Sequence, residues 1–336
     1  MSIQVQSVSI RGKQCNLPAV QIGQDAVAVI TGTMLKVASI HDEAWLEPKC
    51  IPEPAVVIEK LRQAAVRPDV FTFSQRLPDT APKYPYRMEW DNLAVARFGS
   101  HTEWFENSIN KSARKHIRKS AKEGVRVEVV PFTDDLVRGI CSVYNDTEIR
   151  QGRRFWHYSK DFETVKAENA SYLERSIFIG AFYENELIGF IKCVFSEKVA
   201  DLMQIVAKQE YFHKYPMNAL LSKTVEICEQ KGIGYLTYGE YVAGNKLQSS
   251  LMEFKRRNGF EKVDIPRYYL PLTVKGRIYM ALNLHKGIRA WIPPSIWSLT
   301  VALREKWYDR KEKRSTRPQE GEPGMQKSGN LQQEEP

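Results

Sequence analysis

From about residue 85 onward, apolar positions alternate between helical and strand spacing. Leu136, Ile140, Val143 and Thr147 recur at helical spacing and predict a helix over 134–150. Met217, Leu220, Leu221, Thr224 and Cys228 do the same over 216–231. Pro216 suits the first helical position, where a missing N–H costs nothing, and Gly232 suits the stop. A third helix is predicted over 101–123, carrying Trp104, Ile109, Ala113, Ile117 and Ala121 and ending at Gly124. A fourth is predicted over 162–171. Strand-like runs fall at 88–97, 125–130, 177–183, 187–195, 201–206 and 235–239. Glu184-Asn185-Glu186 between two of them is a hairpin signal. A short helix over 249–257 stops at Gly259, and two closing strands are expected at 260–263 and 267–272. The first 70 residues are the least patterned. They predict short strands at 27–30 and 35–40 and a helix over 54–65, followed by a loop over 71–86 that holds Pro78, Pro82 and Pro85.

Composition narrows the class. With 43% hydrophobic and 26% charged residues among 336, a disordered, collagen-like or coiled-coil chain is excluded. The longest apolar run is too short for a membrane-spanning helix, and the N-terminus has no apolar stretch of the secretory kind. Five cysteines at long spacings, with no C-x-x-C, argue against a disulfide framework and for a reducing, cytoplasmic setting. The six histidines form no ligand pattern, so no metal is expected. A net charge of +9 favours anionic partners without choosing among nucleic acid, phosphorylated cofactors and anionic lipid. Over 276–311, tryptophans, Pro293 and Pro294 interrupt an apolar and basic stretch. It reads as two short amphipathic helices that pack on the body or lie on the inner face of an anionic membrane. Residues 312–336 are too polar to order themselves.

The element order over 177–272, with YFHKYPMNALL opening one helix and SLMEFKRRNGF closing another, resembles the GNAT acyltransferase superfamily. Phe254-Lys255-Arg256-Arg257-Asn258-Gly259-Phe260 is similar to the FK-x-x-x-G-F text of its Fem-like branch, which includes the peptidoglycan interpeptide-bridge transferases. Arg114-x-x-Ile117-Arg118-Lys119-x-x-x-x-Gly124-Val125 is similar to a second signature of that branch. The resemblance implies an α/β fold of two GNAT-like mixed-sheet halves in tandem, here over 1–132 and 133–275, with the site in the second. It also implies direct transfer of an acyl or aminoacyl group to an amine on a small-molecule, sugar, peptide or lipid-linked acceptor. The donor implied is an acyl-CoA, with aminoacyl-tRNA as the alternative. The chain departs from the GNAT pattern at two places, one of them Lys255, which stands beside Phe254 where many GNAT enzymes place a tyrosine general acid. The glycine-rich pyrophosphate loop is replaced by residues 209–216, which contain no glycine.

Lys214, Tyr215 and Asn218 flank the helix start at Pro216, either as a seat for donor phosphate or as an ordinary helix entry. Lys255 either meets phosphate or a developing oxyanion, or sits on the solvated face of a basic helix. Glu240 follows a strand end, where a carboxylate can deprotonate an attacking amine, or is a plain surface residue. Tyr241 follows it, and Gln204 lies on the preceding strand. Arg154, Trp156 and Tyr158 belong to the loop RQGRRFWHY, which suits an anionic, sugar-like or ring-bearing acceptor, a nucleic-acid contact, or a purely structural role. The leading expectation is a cytoplasmic N-acyltransferase. Its rivals are an inactive GNAT-fold binder of an anionic partner and a nucleic-acid-binding protein using the basic helix at 111–122 and the Arg-Trp-Tyr loop at 150–158.

Overall fold

The computed structural model describes residues 4–10, 13–150, 153–242 and 249–286. Residues 287–311 of the expected amphipathic segment, and the whole expected tail at 312–336, lie outside the described residues. The chain divides into two compact units, Met1–Arg277 and Ile278–Pro336. Of the second, only the end of one helix and a 3-10 turn at Leu284–Lys286 are described.

The first unit opens with a hairpin, β1 (Gln4–Ile10) and β2 (Lys13–Gln21), followed by β3 (Val27–Thr31) and β4 (Val37–Ile40). Helix α1 (Pro54–Arg62) has its proline at the first turn and leads to β5 (Val70–Ser74) and the long β6 (Arg87–Arg97). Then come α2 (His101–Glu103), α3 (Lys111–Lys122), β7 (Arg126–Val130) and α4 (Asp134–Asn145). The small hairpin β8 (Ile149–Arg150) and β9 (Arg153–Arg154) precedes α5 (Phe162–Asn169). Strands β10 (Ser176–Tyr183), β11 (Glu186–Ser196) and β12 (Val199–Ala207) lead to α6 (Pro216–Gln230). Last are β13 (Tyr235–Thr237), α7 (Ser250–Arg257), β14 (Glu261–Pro271) and α8 (Val274–Ala281).

Twelve of these strands form one sheet, in the order β1-β2-β3-β4-β5-β14-β6-β13-β12-β11-β10-β7. Neighbours are antiparallel except at two places, β4 beside β5 and β12 beside β13. Each parallel pair is joined through a helix, α1 in one case and α6 in the other, as a parallel connection requires. The same strand–helix–strand unit therefore occurs twice. The halves are knitted together by exchange: β14, late in the chain, pairs with β5, and β6, from the first half, pairs with β13.

One core gathers Ile22, Leu61, Phe71 and Tyr268 beneath the first parallel pair. The second half buries both faces of its sheet. Trp104, Leu220, Leu221, Val225 and Phe260 fill one side, and Ile140, Tyr144, Phe178 and Phe190 the other.

Four local expectations change. The helix predicted over 101–123 breaks: after a π-helical turn at Trp104–Ser108, Ile109 is extended. Asn110 then caps α3 by accepting the N–H of Ala113 at 2.8 Å. The break lets Trp104 and Ile109 both bury, at 1% and 3% exposure. The helix predicted over 134–150 ends at Asn145. The loop predicted from 71 begins with β5 instead. Val70, Phe71, Thr72 and Phe73 are all buried, so the strand shows no alternation to read. The two closing strands fuse into β14, with Pro266 inside it. The carbonyl of Pro266 accepts the N–H of Gln75, so its missing N–H faces the end of β5, where the ladder stops and only the return bond to Gln75 is forgone.

Candidate functional site

β12 and β13 pair only at Val199–Tyr235, Ala200–Leu236 and Asp201–Thr237. Beyond Asp201 the strands part, and the β12 edge has no described strand partner. The β11–β12 register also shifts between Lys192–Gln204 and Cys193–Leu202, leaving Met203 as the extra residue of a bulge. The parting strands open a cavity of about 930 Å³. Its floor is the β12 stretch Met203, Gln204, Ile205, Val206 and Ala207, and α6 and α7 and the loop around Trp156 complete its walls.

Of the residues expected at the site, the cavity wall holds Gln204, Tyr215, Asn218, Arg154 and Trp156. Gln204 is held in place: the buried Tyr144 hydroxyl donates to its Oε1 at 2.7 Å. Trp156 is 53% exposed and lies against His157 at 3.9 Å between centroids, the rings tilted by 43°. Asn218 is buried, and its Nδ2 donates to Asn258 Oδ1 at 2.8 Å. Asn258 in turn donates to the Phe254 carbonyl at 2.7 Å and accepts from the Trp104 indole at 3.2 Å. The Asn258-Gly259 text thus welds α7 to α6 and to the Trp104 turn, with Gly259 at φ +78°.

Lys214, Lys255, Glu240, Tyr241 and Tyr158 do not line the cavity. Lys214 lies over the Tyr183 ring at 3.9 Å and reaches Glu123 Oε2 at 3.5 Å. Lys255 is 3% exposed, donates to the Glu240 carbonyl at 2.6 Å and lies over the Tyr238 ring at 4.4 Å. Burial pulls its ammonium pKa down to about 8, against the charges of Glu240 and Asp201. Lys255 therefore clamps the chain just past β13 from below, while the Glu240 residue above it is exposed. Asp201 is engaged on both oxygens, by Trp45 Nε1 at 3.1 Å and by the Thr237 hydroxyl. Burial raises its carboxyl pKa against those hydrogen bonds.

The start of α6 is a poor anion seat. Pro216 has no N–H, and the N–H groups of Asn218 and Ala219 both donate to the Tyr215 carbonyl, at 3.2 and 3.4 Å. Tyr215 itself is left-handed (φ 56°) and stacks flat on His116 at 3.9 Å. The open β12 edge and the cavity's apolar floor fit the acyl-bearing arm of a donor such as an acyl-CoA. The main chain at 209–216 does not offer its phosphates the usual cradle. Sequence reasoning missed the Met203 bulge, the Tyr144–Gln204 bond and the place of His157 on the cavity wall, which depend on register and on contacts 60 residues apart.

No family model matches the sequence. Over 88 residues, 26% of this chain, it is 35% identical to a spermidine N(1)-acetyltransferase of Thermoplasma acidophilum, and the chain spans about half, 52%, of that relative. Likeness of fold reaches further. FemX is 9% identical with a TM-score of 0.53, covering 83% of this chain and 90% of its own. The C-terminal domain (DUF2156) of a putative lysylphosphatidylglycerol synthetase from Agrobacterium fabrum is 14% identical with a TM-score of 0.51, covering 79% and 88%. Among the described residues no helix is long and apolar enough to cross a membrane. The repeated strand–helix–strand units, the splayed β12–β13 pair and the likeness to FemX together give this chain the tandem, Fem-like GNAT fold that its motifs resemble.

Proposed function

We propose that the chain is an N-acyltransferase that passes an acyl or aminoacyl group directly from its carrier to an amine. The observation that carries this reading is the unpaired β12 edge above a cavity whose floor presents the bulged Met203 and the anchored Gln204. Main-chain donors on such an edge can hold the acyl carbonyl and stabilise the oxyanion that forms on attack. The new N–C bond forms as the C–S or C–O bond to the carrier breaks, and the carrier leaves with the electron pair. The amine proton passes to a carboxylate. Glu240 is exposed three residues past the end of β13, outside the cavity lining but two residues from the cavity-lining Tyr238, and is assigned that role. Asp201, with both oxygens engaged, positions the strand pair instead.

The donor is an acyl-CoA in this reading and the acceptor an amine on a sugar, peptide or lipid-linked molecule. The segment 276–311 brings the enzyme to anionic lipid. Incubation with radiolabelled acetyl-CoA and a panel of amines, followed by chromatography of the products, tests the chemistry. Label transfer that is lost in Glu240→Gln supports it, and no transfer to any amine overturns it. Flotation with anionic liposomes at low salt, with and without residues 276–336, tests the membrane contact. Equal recovery of both chains in the unbound fraction removes it.

A further inference from the structure

The cavity has no main-chain phosphate cradle, yet its wall is strongly cationic. Arg150, Arg154 and Arg257 all line it, and Glu253 is the only carboxylate among its described lining residues. Glu253 is spent: it accepts from Arg256 at 2.8 Å and from Arg257 Nε at 2.6 Å, which pulls its pKa to about 2. Arg257 uses only its Nε in that contact, and Arg154 only its Nε toward Glu148, at 3.1 Å. Among the described residues no hydrogen bond engages the terminal amino groups of either, and their side chains are 47% and 71% exposed. Arg150 is anchored deeper. Its terminal nitrogens donate to Ala207 and Val143 carbonyls at 2.9 and 3.1 Å, Asp146 stands at 3.6 Å, and its buried Nε has no hydrogen-bond partner among the described residues.

Two histidines on the same wall are held in the neutral form. His116 is pushed below its usual range by burial and then by Arg257, Lys115 and Lys119. His157 is pushed to about 3 by burial, Lys160 and Arg150. Both are therefore neutral at pH 7, and the excess positive charge rests on the guanidinium groups.

We propose that Arg154, from β9, and Arg257, from the end of α7, form a side-chain phosphate clamp on the cavity wall, with the more deeply buried Arg150 of the same lining as a fixed positive charge. A guanidinium offers two parallel donors to a phosphate, so a pair of them replaces the cradle that residues 209–216 lack. The proposal rests on the acyl-transfer reading for the presence of a phosphate beside the acyl group, and it names the ligand as a phosphorylated substrate. The phosphate belongs either to the donor or to the acceptor.

Inorganic pyrophosphate is the probe, titrated at low salt by calorimetry and by NMR of the histidine rings. The double variant Arg154→Gln/Arg257→Gln is expected to weaken binding at least about tenfold, which is about 1.4 kcal/mol, with an unchanged melting temperature. In the wild type, pyrophosphate is expected to raise the His116 pKa, because an anion offsets Arg257. The control Lys111→Gln/Lys122→Gln removes two charges from the separate basic stripe along α3 and is expected to bind like the wild type. Equal losses in both doubles, no loss in the arginine double, or no saturable binding to the wild type overturns the clamp. Competition by coenzyme A assigns the phosphate to the donor, competition by glycerol 3-phosphate assigns it to the acceptor, and competition by neither also overturns it. Acyl transfer that persists in the arginine double with unchanged KM refutes the clamp and leaves the transferase reading intact. Arginine-dependent pyrophosphate binding without transfer to any amine refutes the transferase reading and leaves the clamp.

Discussion

Trp45 and Asp201, 156 residues apart, share a hydrogen bond: the indole N–H donates to Oδ1 at 3.1 Å. Trp45 belongs to the first half and Asp201 to β12, at the last rung before the strands part. The bond thus pins the root of the splay to the other half of the molecule.

Trp45→Phe keeps most of the ring but removes the donor from a half-buried carboxylate. A hydrogen bond to a charged group is worth roughly 1.5–3 kcal/mol. Urea unfolding at pH 7 should show a loss of that size. Because protonation relieves the unpaired charge, the difference from the wild type should shrink toward pH 4. A loss that does not change with pH would mean that packing of the ring, not the hydrogen bond, is what matters.

Lys255→Met should destabilise the chain rather than affect ligand binding alone, because it leaves the Glu240 carbonyl without its 2.6 Å donor. The pH dependence separates this from packing. The folded lysine has a pKa of about 8, below the ordinary value near 10.4. Between those values the unfolded chain holds more protons, so wild-type stability rises with pH through that window. Denaturant midpoints measured at pH 7.5, 9 and 10 should climb for the wild type and stay flat for the methionine variant.

His157→Phe should make the fold more tolerant of acid. His157 is buried between Tyr144 and Trp156; its Nδ1 stands 3.8 Å from Glu168 and makes no hydrogen bond among the described residues. Its pKa of about 3 lies well below the unfolded value near 6.5. Wild-type stability therefore falls as pH drops from about 6.5 toward 3, by up to roughly 1.4 kcal/mol per pH unit. The phenylalanine variant, measured by circular dichroism melts across that range, should lack this share of the decline. Parallel declines would show that other groups control acid unfolding.

Gly259→Ala tests the motif glycine. Its φ is +78°, and a Cβ would come within 3.2 Å of both Ser108 Cβ and Trp104 Nε1. A loss of at least about 1 kcal/mol is expected, with a disturbed Trp104 fluorescence. An unchanged melting temperature would mean that the Trp104 turn yields freely.

Legibility of the sequence followed the range of the interactions. Pro216 and Gly232 bracket α6 as their local chemistry predicts, and Glu184 and Asn185 form the two-residue turn with φ of 48° and 69°. The β12–β13 neighbourhood was also readable, because a helix between two strands implies parallel pairing. Strand β5 was not, since burial on both faces erases the period of two. Nor was the fate of Lys255. Periodicity places a lysine on a helix, but whether it reaches a ligand or a carbonyl depends on how α7 docks. Within the site, Gln204 and Asn218 could be proposed from their positions. The partners that hold them, Tyr144 and Asn258, lie 60 and 40 residues away and leave no local mark.

The exchange of β6 and β14 bears on how the chain is made. While a ribosome is still adding residues before 261, β5 has its partner β4 on one side and an unpaired edge on the other, and β6 has no β14 to lie against. Neither half can complete its sheet alone, and the first must wait for the last strand. Exposed strand edges of this kind invite pairing with other chains. The nascent protein should therefore depend on chaperones until β14 emerges. Chains halted short of residue 271 should aggregate rather than accumulate as a folded N-terminal half.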